Sequence, residues 1–125
     1  MDRRHRLGRE GEDRAAAYLE AAGYRIVDRN VRIGGIEVDL IARLGRTAVF
    51  VEVKTRRSRR LGAPEEAVDG RRQARLVRAA SGWLRTRGRG IRELRFDVIT
   101  CEPAPGGGLR LRHLPAAFRA DRHPG

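Results

Sequence analysis

Two short apolar stretches of the chain, residues 36–41 and 49–54, carry charged side chains in their interiors. Each has the composition of a β-strand, and the turn between them predicts a hairpin. Because side chains alternate between the two faces of a strand, Glu52 and Lys54 share one face, and Asp39 of the partner strand can meet them there. Carboxylates are costly to bury without a cation. A divalent metal ion held by Asp39 and Glu52 beside Lys54 is an arrangement that cleaves phosphodiester bonds.

A second interpretation of these residues is structural. Asp39, Glu52 and Lys54 can form an ion pair at the edge of a sheet, where charged side chains discourage association between strands. Lys54, however, is the only lysine among 28 basic residues. An ammonium group is compact and loses its proton readily when buried, whereas a guanidinium stays charged and planar. The single lysine therefore favours a chemical role.

The composition indicates one strongly basic domain. A chain of 125 residues is one domain's length and buries roughly two-thirds of its unfolded surface. Its net charge of +12 and its pI near 11.6 produce a strong positive field, for which the natural partner is a polyanion such as nucleic acid. Arginine enrichment can also follow from the base composition of the gene. A membrane surface suits the chain less well, since it has no basic amphipathic helix with a bulky apolar face.

The cysteine and histidine content restricts the type of metal. Cys101 is the only cysteine, which excludes an internal disulfide and a multi-cysteine zinc site. The histidines, His5, His113 and His123, lie in or near the terminal regions. Any metal must therefore be bound by oxygen, which suits Mg²⁺ or Mn²⁺ better than zinc. With no hydrophobic leader and no apolar run long enough to span a bilayer, we expect the protein to remain in a reducing cytoplasm.

The elements that must position the acidic pair begin with a helix over residues 8–22. Ala15, Ala16 and Leu19 form its apolar stripe. Glu12 projects with this stripe toward the core, and its small neighbours let the helix approach the sheet closely. The alternative is that Glu12, at the start of a helix, only complements the helix dipole.

A basic loop follows Lys54 directly. Its arginines can hold phosphates or can simply be solvated, and we favour phosphate binding because the loop adjoins the carboxylates. These residues are Arg56, Arg57, Arg59 and Arg60.

The second half of the chain predicts one more helix and two more strands. Asp69 is suited to cap a helix that ends near Arg87. Trp83 of this helix is more typical of a core residue than of a base-stacking platform. The buried stripe predicted for the helix consists of Leu76, Val77, Ala80, Trp83 and Leu84.

The other elements complete a mixed α/β pattern. Asp97 is a third acidic residue inside a predicted strand, and it can either support the site or pair with an arginine. Three strands are predicted over 24–31, 94–101 and 109–114, and two helical turns over 64–68 and 115–120. We expect a flexible basic N-terminus over 1–7, a single domain over 8–119 and a disordered tail over 120–125.

The order of these motifs resembles that of the YraN family, uncharacterised protein family 0102, a set of small bacterial proteins. The segments that carry the resemblance are Gly11-Glu12, 37–41, 49–54, 95–99 and Ala117-Phe118. The family is similar to Holliday-junction resolvases and to the PD-(D/E)XK nuclease superfamily. The resemblance implies a restriction-endonuclease-like α/β core, in which a small mixed sheet of four or five strands is flanked by helices.

The resemblance also implies roles for individual residues. Asp39 and Glu52 correspond to catalytic metal ligands, and Lys54 corresponds to the residue that positions the attacking water. Two further metal ligands are implied, the Val53 carbonyl and Glu12, the latter directly or through water. Gln73 lies where some similar proteins carry a helix residue near the site, and we assign it to nucleic-acid binding.

These observations lead to a metal-dependent endonuclease that hydrolyses DNA, with branched or structured DNA as its expected substrate and Mg²⁺ or Mn²⁺ as its cofactor. One alternative is a non-catalytic nucleic-acid-binding module on a nuclease fold. Another is a basic RNA-associated or assembly protein whose acidic residues are structural. Similar proteins that cut symmetric junctions act as dimers, which makes a homodimer an expectation for this chain.

Overall fold

The computed structural model describes residues 3–56 and 68–120, with side chains described from residue 8 onward. The predicted loop arginines Arg57, Arg59 and Arg60, most of the predicted turn over 64–68 and the tail over 121–125 lie outside the described residues. The elements within the described ranges are α1 (Arg3–Ala21), β1 (Arg25–Ile33), β2 (Ile36–Leu44), β3 (Thr47–Thr55), α2 (Gly70–Arg87), β4 (Glu93–Pro103) and β5 (Leu109–Phe118).

The strands form one mixed sheet in the order β1-β2-β3-β4-β5. β3 and β4 are parallel, and the connection between them contains α2, as a parallel crossover requires. The other neighbouring pairs are antiparallel. The predicted mixed α/β architecture, a small sheet flanked by helices, is confirmed, and the sheet has five strands. β3 is its central strand.

Each face of the sheet is covered by one helix. On one face α2 packs on Phe50 and Phe96, and on the other α1 packs on Leu40 and Val51. β3 is therefore buried on both faces, which explains why its sequence is nearly continuously apolar. Neither of the two described helices is long and apolar enough to cross a membrane.

The start and the buried stripe of α2 agree with those predicted from the sequence, with one exception. Asp69 caps the helix by accepting the Arg72 N–H at 2.8 Å. Trp83 is a core residue, as predicted, and its ring meets Phe50 edge to face. Leu84 was wrongly predicted as buried and is 37% exposed, whereas Ala79 is buried. The helix turns its small alanine face to the sheet, and this rotation moves Leu84 to the rim.

The first helix begins earlier than predicted and packs closely on the sheet at Gly11. It begins at Arg3 rather than at Gly8, so the Glu12 carboxylate lies in the middle of the helix. Since the dipole acts mainly in the first turn, the interpretation of Glu12 as a dipole partner is wrong. A Cβ atom at Gly11 would overlap the Thr55 hydroxyl and lie 3.5 Å from the Cys101 sulfur. Gly11 therefore allows α1 to lie directly on the end of β3.

The C-terminal segment was predicted as a helical turn over 115–120, and this prediction is wrong. β5 continues to Phe118, whose ring stacks on Phe96 at 5.0 Å between centroids. The Ala116 N–H, in a residue with φ of 52°, donates to Asp97 at 3.0 Å. Phe96 on β4 stacks on the Phe118 ring, and Asp97 on β4 accepts the Ala116 N–H. These two contacts keep the segment in the sheet.

Candidate active site

The β2–β3 hairpin brings Asp39 and Glu52 together, as the sequence predicted. They face each other on adjacent strands, one step beyond the pairing of Leu40 with Val51. The Val53 N–H donates to Asp39 Oδ2 at 2.8 Å. Glu52 is only 3% exposed because β3 is central. The charged group therefore does not lie at an edge of the sheet, and the structural alternative is wrong on this point.

The two carboxyl groups are coupled electrostatically. Burial, followed by the negative charge of Glu52, raises the pKa of Asp39 to about 7. A hydrogen bond with Glu52 and the charge of Glu12 also raise this pKa, while the Val53 N–H lowers it. Asp39 is therefore partly protonated at neutral pH. A bound cation would relieve the repulsion and displace the proton.

Arg72 is the strongest partner of Glu52, and it was not among the site residues predicted from the sequence. Its Nε donates to Glu52 Oε2 at 2.8 Å and its Nη2 to Oε1 at 3.0 Å, a bidentate pair. Nη2 also donates to the Glu37 carbonyl at 2.6 Å. A signal for this contact was present in the sequence, because a cation in the first turn of a helix opposes the helix dipole unless an acidic group compensates it. The cap at Asp69 places Arg72 in that first turn.

Lys54 contacts the same carboxylate more weakly. Its Nζ lies 3.9 Å from Glu52 Oε2, and the side chain is 45% exposed. Lys54 therefore reaches Glu52 from the solvent side, whereas Arg72 reaches it from α2. At the exposed lysine, an ion pair alone contributes little to stability. The amine remains available for a ligand that enters from solvent.

Glu12 approaches the pair from the other helix. The close packing at Gly11 brings α1 onto the end of β3, and the Glu12 charge acts on Asp39. Within the described residues, however, no three His, Cys, Asp or Glu side chains lie close enough together to hold a metal ion. A metal ion at this place would therefore have two carboxylates of the described residues beside it, Asp39 and Glu52.

This donor set fits a hard divalent cation. Mg²⁺ is commonly held by one or two carboxylates and keeps several waters, which is compatible with the Asp39–Glu52 pair. Burial, followed by the negative charge of Glu52, raises the pKa of Asp39 even though Arg72 binds Glu52, so a cation beside Asp39 would favour its charged form. The role of the Val53 carbonyl as a ligand stays a prediction, since the contact seen at this residue is made by its N–H.

The predicted nucleic-acid-binding residues are only partly described. The Arg56 N–H donates to the Cys101 carbonyl at 2.7 Å, so the start of the basic loop is attached to the end of β4, two residues after Lys54. The Gln73 side chain donates to the Val68 carbonyl at 2.9 Å. Its neighbour Arg72 donates to Glu52.

Asp97 belongs to a separate buried network. Its carboxylate accepts from Arg95 Nε at 2.9 Å and Nη2 at 2.7 Å, and from His113 Nε2 at 2.7 Å. The Tyr18 hydroxyl lies 3.1 Å from His113 Nδ1. Burial favours a raised pKa for Asp97, but the bonds from His113, Arg95 and Ala116 outweigh it and lower the pKa. Of the two predicted roles, pairing with an arginine is the one observed.

Comparison with known proteins identifies the family. The sequence profile described as "Uncharacterised protein family UPF0102" matches residues 11–101. The chain belongs to this family. The resemblance stated from the motifs is thereby confirmed, and the matched UPF0102 region includes Glu12, Asp39, Glu52 and Lys54.

Similar UPF0102 proteins occur in several bacteria. One from Symbiobacterium thermophilum is 52% identical over 115 residues, which cover 92% of this chain and 98% of that protein. One from Geobacter sulfurreducens is 48% identical over 112 residues, which cover 90% and 88%. A solved structure of Pyrococcus furiosus SfsA in complex with Ca²⁺ matches 81% of this chain and 57% of its own, with 16% identity and a TM-score of 0.40.

Proposed function

We propose that this UPF0102 protein is a metal-dependent endonuclease that hydrolyses phosphodiester bonds in DNA, with branched or structured DNA as its substrate. The observation that carries the proposal is the Asp39–Glu52 pair, two carboxyl groups in contact between β2 and the central strand β3, with Lys54 on the solvent side. Two such groups with an amine suit hydrolysis of a phosphodiester, whose charge must be neutralised during attack.

In this proposal the chain holds Mg²⁺ or Mn²⁺ with Asp39 and Glu52, helped by the Val53 carbonyl and by Glu12 through water. When bound, the metal lowers the pKa of a coordinated water and neutralises charge on the scissile phosphate. Lys54 orients the water toward phosphorus from the exposed side of Glu52. The buried position of Glu52 in β3 limits the movement of its carboxylate, so this group is held in place before a substrate binds.

The arginines around the site hold the flanking phosphates. Arg56 lies two residues after Lys54 and begins the basic loop, to which we also assign Arg57, Arg59 and Arg60. Gln73 is a further proposed contact. Without metal, Arg72 forms an ion pair with Glu52. Once a bound cation balances that carboxylate, the Arg72 guanidinium can also bind a phosphate.

The test of this proposal is a cleavage assay. Linear duplex, single-stranded and four-way-junction DNA are each incubated with purified protein in EDTA, Mg²⁺ or Mn²⁺. We expect cleavage only with a divalent metal, and fastest on the junction. A Glu52→Gln variant purified in parallel controls for contaminating nuclease. Equal cleavage in EDTA, or by this variant, would remove the proposal.

Lys54 provides a second test. Lys54→Ala should bind DNA and metal as the wild type does, but should lose cleavage by about a hundred-fold, the scale of a positioned polar group. Lys54→Arg keeps the charge but replaces a compact ammonium with a wider planar group, so it should also cleave poorly. Rates for both variants are compared under single-turnover conditions. Wild-type cleavage by Lys54→Arg would instead assign this residue to charge neutralisation.

A non-catalytic binding module is the second candidate, and one observation favours it. Arg72 bonds both oxygens of Glu52, so the carboxylate already has a cationic partner without metal. Under this alternative the protein binds nucleic acid equally well in EDTA and in Mg²⁺ and cleaves none of the three DNAs. Competition between junction DNA and structured RNA then separates a DNA-binding module from an RNA-associated protein.

A further inference from the structure

A groove of about 1180 Å³ lies between α2 and the β1–β2 turn, beside the candidate active site. Gly34 and Gly35 form the turn on one wall, and one face of α2 forms the other. Arg72 lines the groove and also bonds Glu52, so the groove and the active site share this residue. A ligand lying in the groove therefore extends directly to the carboxylate pair.

The lining of the groove is strongly basic. Glu37 is the one carboxylate among the described residues that line it, and it lies 3.8 Å from Arg32. The arginines that line it are Arg32, Arg72, Arg75, Arg78, Arg85 and Arg87.

Three of these arginines are available to a ligand. Arg87 pairs with Asp28, and Arg72 pairs with Glu52. By contrast, Arg75, Arg78 and Arg85 are exposed and form no ion pair with any residue in the described parts of the chain. Guanidinium groups bind phosphate through paired N–H donors. The groove therefore presents uncompensated positive charge of the type that binds a polyphosphate.

The length of this surface fits a nucleic-acid backbone. From Arg72 to Arg85 the helix rises about 20 Å at 1.5 Å per residue. A duplex strand carries one phosphate per about 3.4 Å of axis, so the surface spans roughly six phosphates. An isolated inorganic anion or a mononucleotide would use only a small part of it.

The groove has no surface for stacking bases. Its one aromatic residue within the described lining, Trp83, is 3% exposed and donates its Nε1–H to Asp28 at 3.3 Å. Proteins that bind single strands combine positive charge with exposed aromatic rings. A basic groove without them is suited to the sugar–phosphate backbone of a duplex, independent of sequence.

We propose that the groove binds the backbone of one strand of duplex DNA, through Arg75, Arg78 and Arg85, and directs the strand past Arg72 to the carboxylate pair. Cleavage of the bound strand rests on the proposed function, whereas its binding in the groove does not. It assigns α2 as the docking helix for the arm of the substrate that flanks the cut.

The experiment measures binding without cleavage. Fluorescence anisotropy with a labelled 20-base-pair duplex in EDTA compares the wild type with an Arg75→Gln/Arg78→Gln/Arg85→Gln variant. We expect affinity to fall by about ten-fold or more, and the dependence of log K on log salt to lose about three units of slope. A single strand of the same length should bind the wild type more weakly than the duplex.

A matched variant removes the same charge elsewhere. Arg25, Arg46 and Arg92 are exposed, lie at the end of the sheet away from Glu52 and do not line the groove. Their triple glutamine variant should bind the duplex at least several-fold more tightly than the groove variant. Equal losses in the two variants, or tighter binding of the single strand, would overturn the groove proposal. Groove-dependent binding without any metal-dependent cleavage would retain it and overturn the nuclease proposal instead.

Discussion

Asp39→Asn is expected to lower Mg²⁺-dependent cleavage by about a thousand-fold, because a metal ligand that is worth several kcal/mol in the transition state is lost. Asparagine can still accept the Val53 N–H, so the end of the hairpin keeps its hydrogen bond. The substitution also removes a buried charge and its repulsion from Glu52, which together raise the pKa of Asp39, so the metal-free variant should be at least as stable as the wild type. Activity and stability thus change in opposite directions, which a merely structural carboxylate would not produce.

Calorimetric titration with Mn²⁺ separates this result from misfolding. The wild type should bind one metal ion per site and Asp39→Asn should show no binding. Glu37→Gln is the matched control, since Glu37 lies on the same strand but its side chain is 56% exposed. This control should bind Mn²⁺ as the wild type does. Metal binding that is unchanged in Asp39→Asn would show that the site has been placed on the wrong residues.

Asp97→Ala is expected to destabilise the fold by about 3 kcal/mol, the cost of removing one member of a buried ion pair. Asp97 is fully buried, and its loss removes an acceptor that Arg95, His113 and the Ala116 N–H share. Urea denaturation measures this loss. Asp13→Ala is the control, because the Asp13–Arg29 pair is exposed on both sides and should change stability by less than about 1 kcal/mol.

The stability of the wild type and that of Asp97→Ala should depend differently on pH. The folded state lowers the pKa of Asp97 below its ordinary value of 3.8. Its stabilising contribution is therefore complete above that value and is lost as the pH falls through the folded pKa. Wild type should lose stability more steeply than Asp97→Ala below about pH 4. Parallel curves in this range, or a loss no larger than that of Asp13→Ala, would contradict the role assigned to Asp97.

The sequence determined the elements that depend on local patterns. The apolar stretches around Asp39 and Glu52 lie close in the chain, so a hairpin was the simplest pairing, and alternation placed both carboxylates on one face. The cap at Asp69 and the burial of Trp83 also follow from short-range signals, namely the preference of a helix start for aspartate and the period of its apolar stripe.

The sequence was less informative where a residue's environment comes from another element. Leu84 fits the helical period, but the rotation of α2 on the sheet decided that Ala79 is buried instead. Residues 115–118 have no strong strand signal, and they remain in the sheet because β4 supplies Phe96 and Asp97 as partners. Propensity is a weak guide when tertiary contacts of this kind are available.

Only the tertiary structure decided which cation meets Glu52. The sequence indicated Lys54, two residues away on the same strand, yet the bidentate partner is Arg72, twenty residues further along on α2. The contact exists because the parallel crossover from β3 to β4 brings the start of α2 within side-chain reach of Glu52. Likewise, Glu12 acts on Asp39 because Gly11 has no side chain to hold α1 away from Thr55. Local sequence sets which residues can carry charge, whereas the free energy of burying that charge depends on neighbours that only packing brings together.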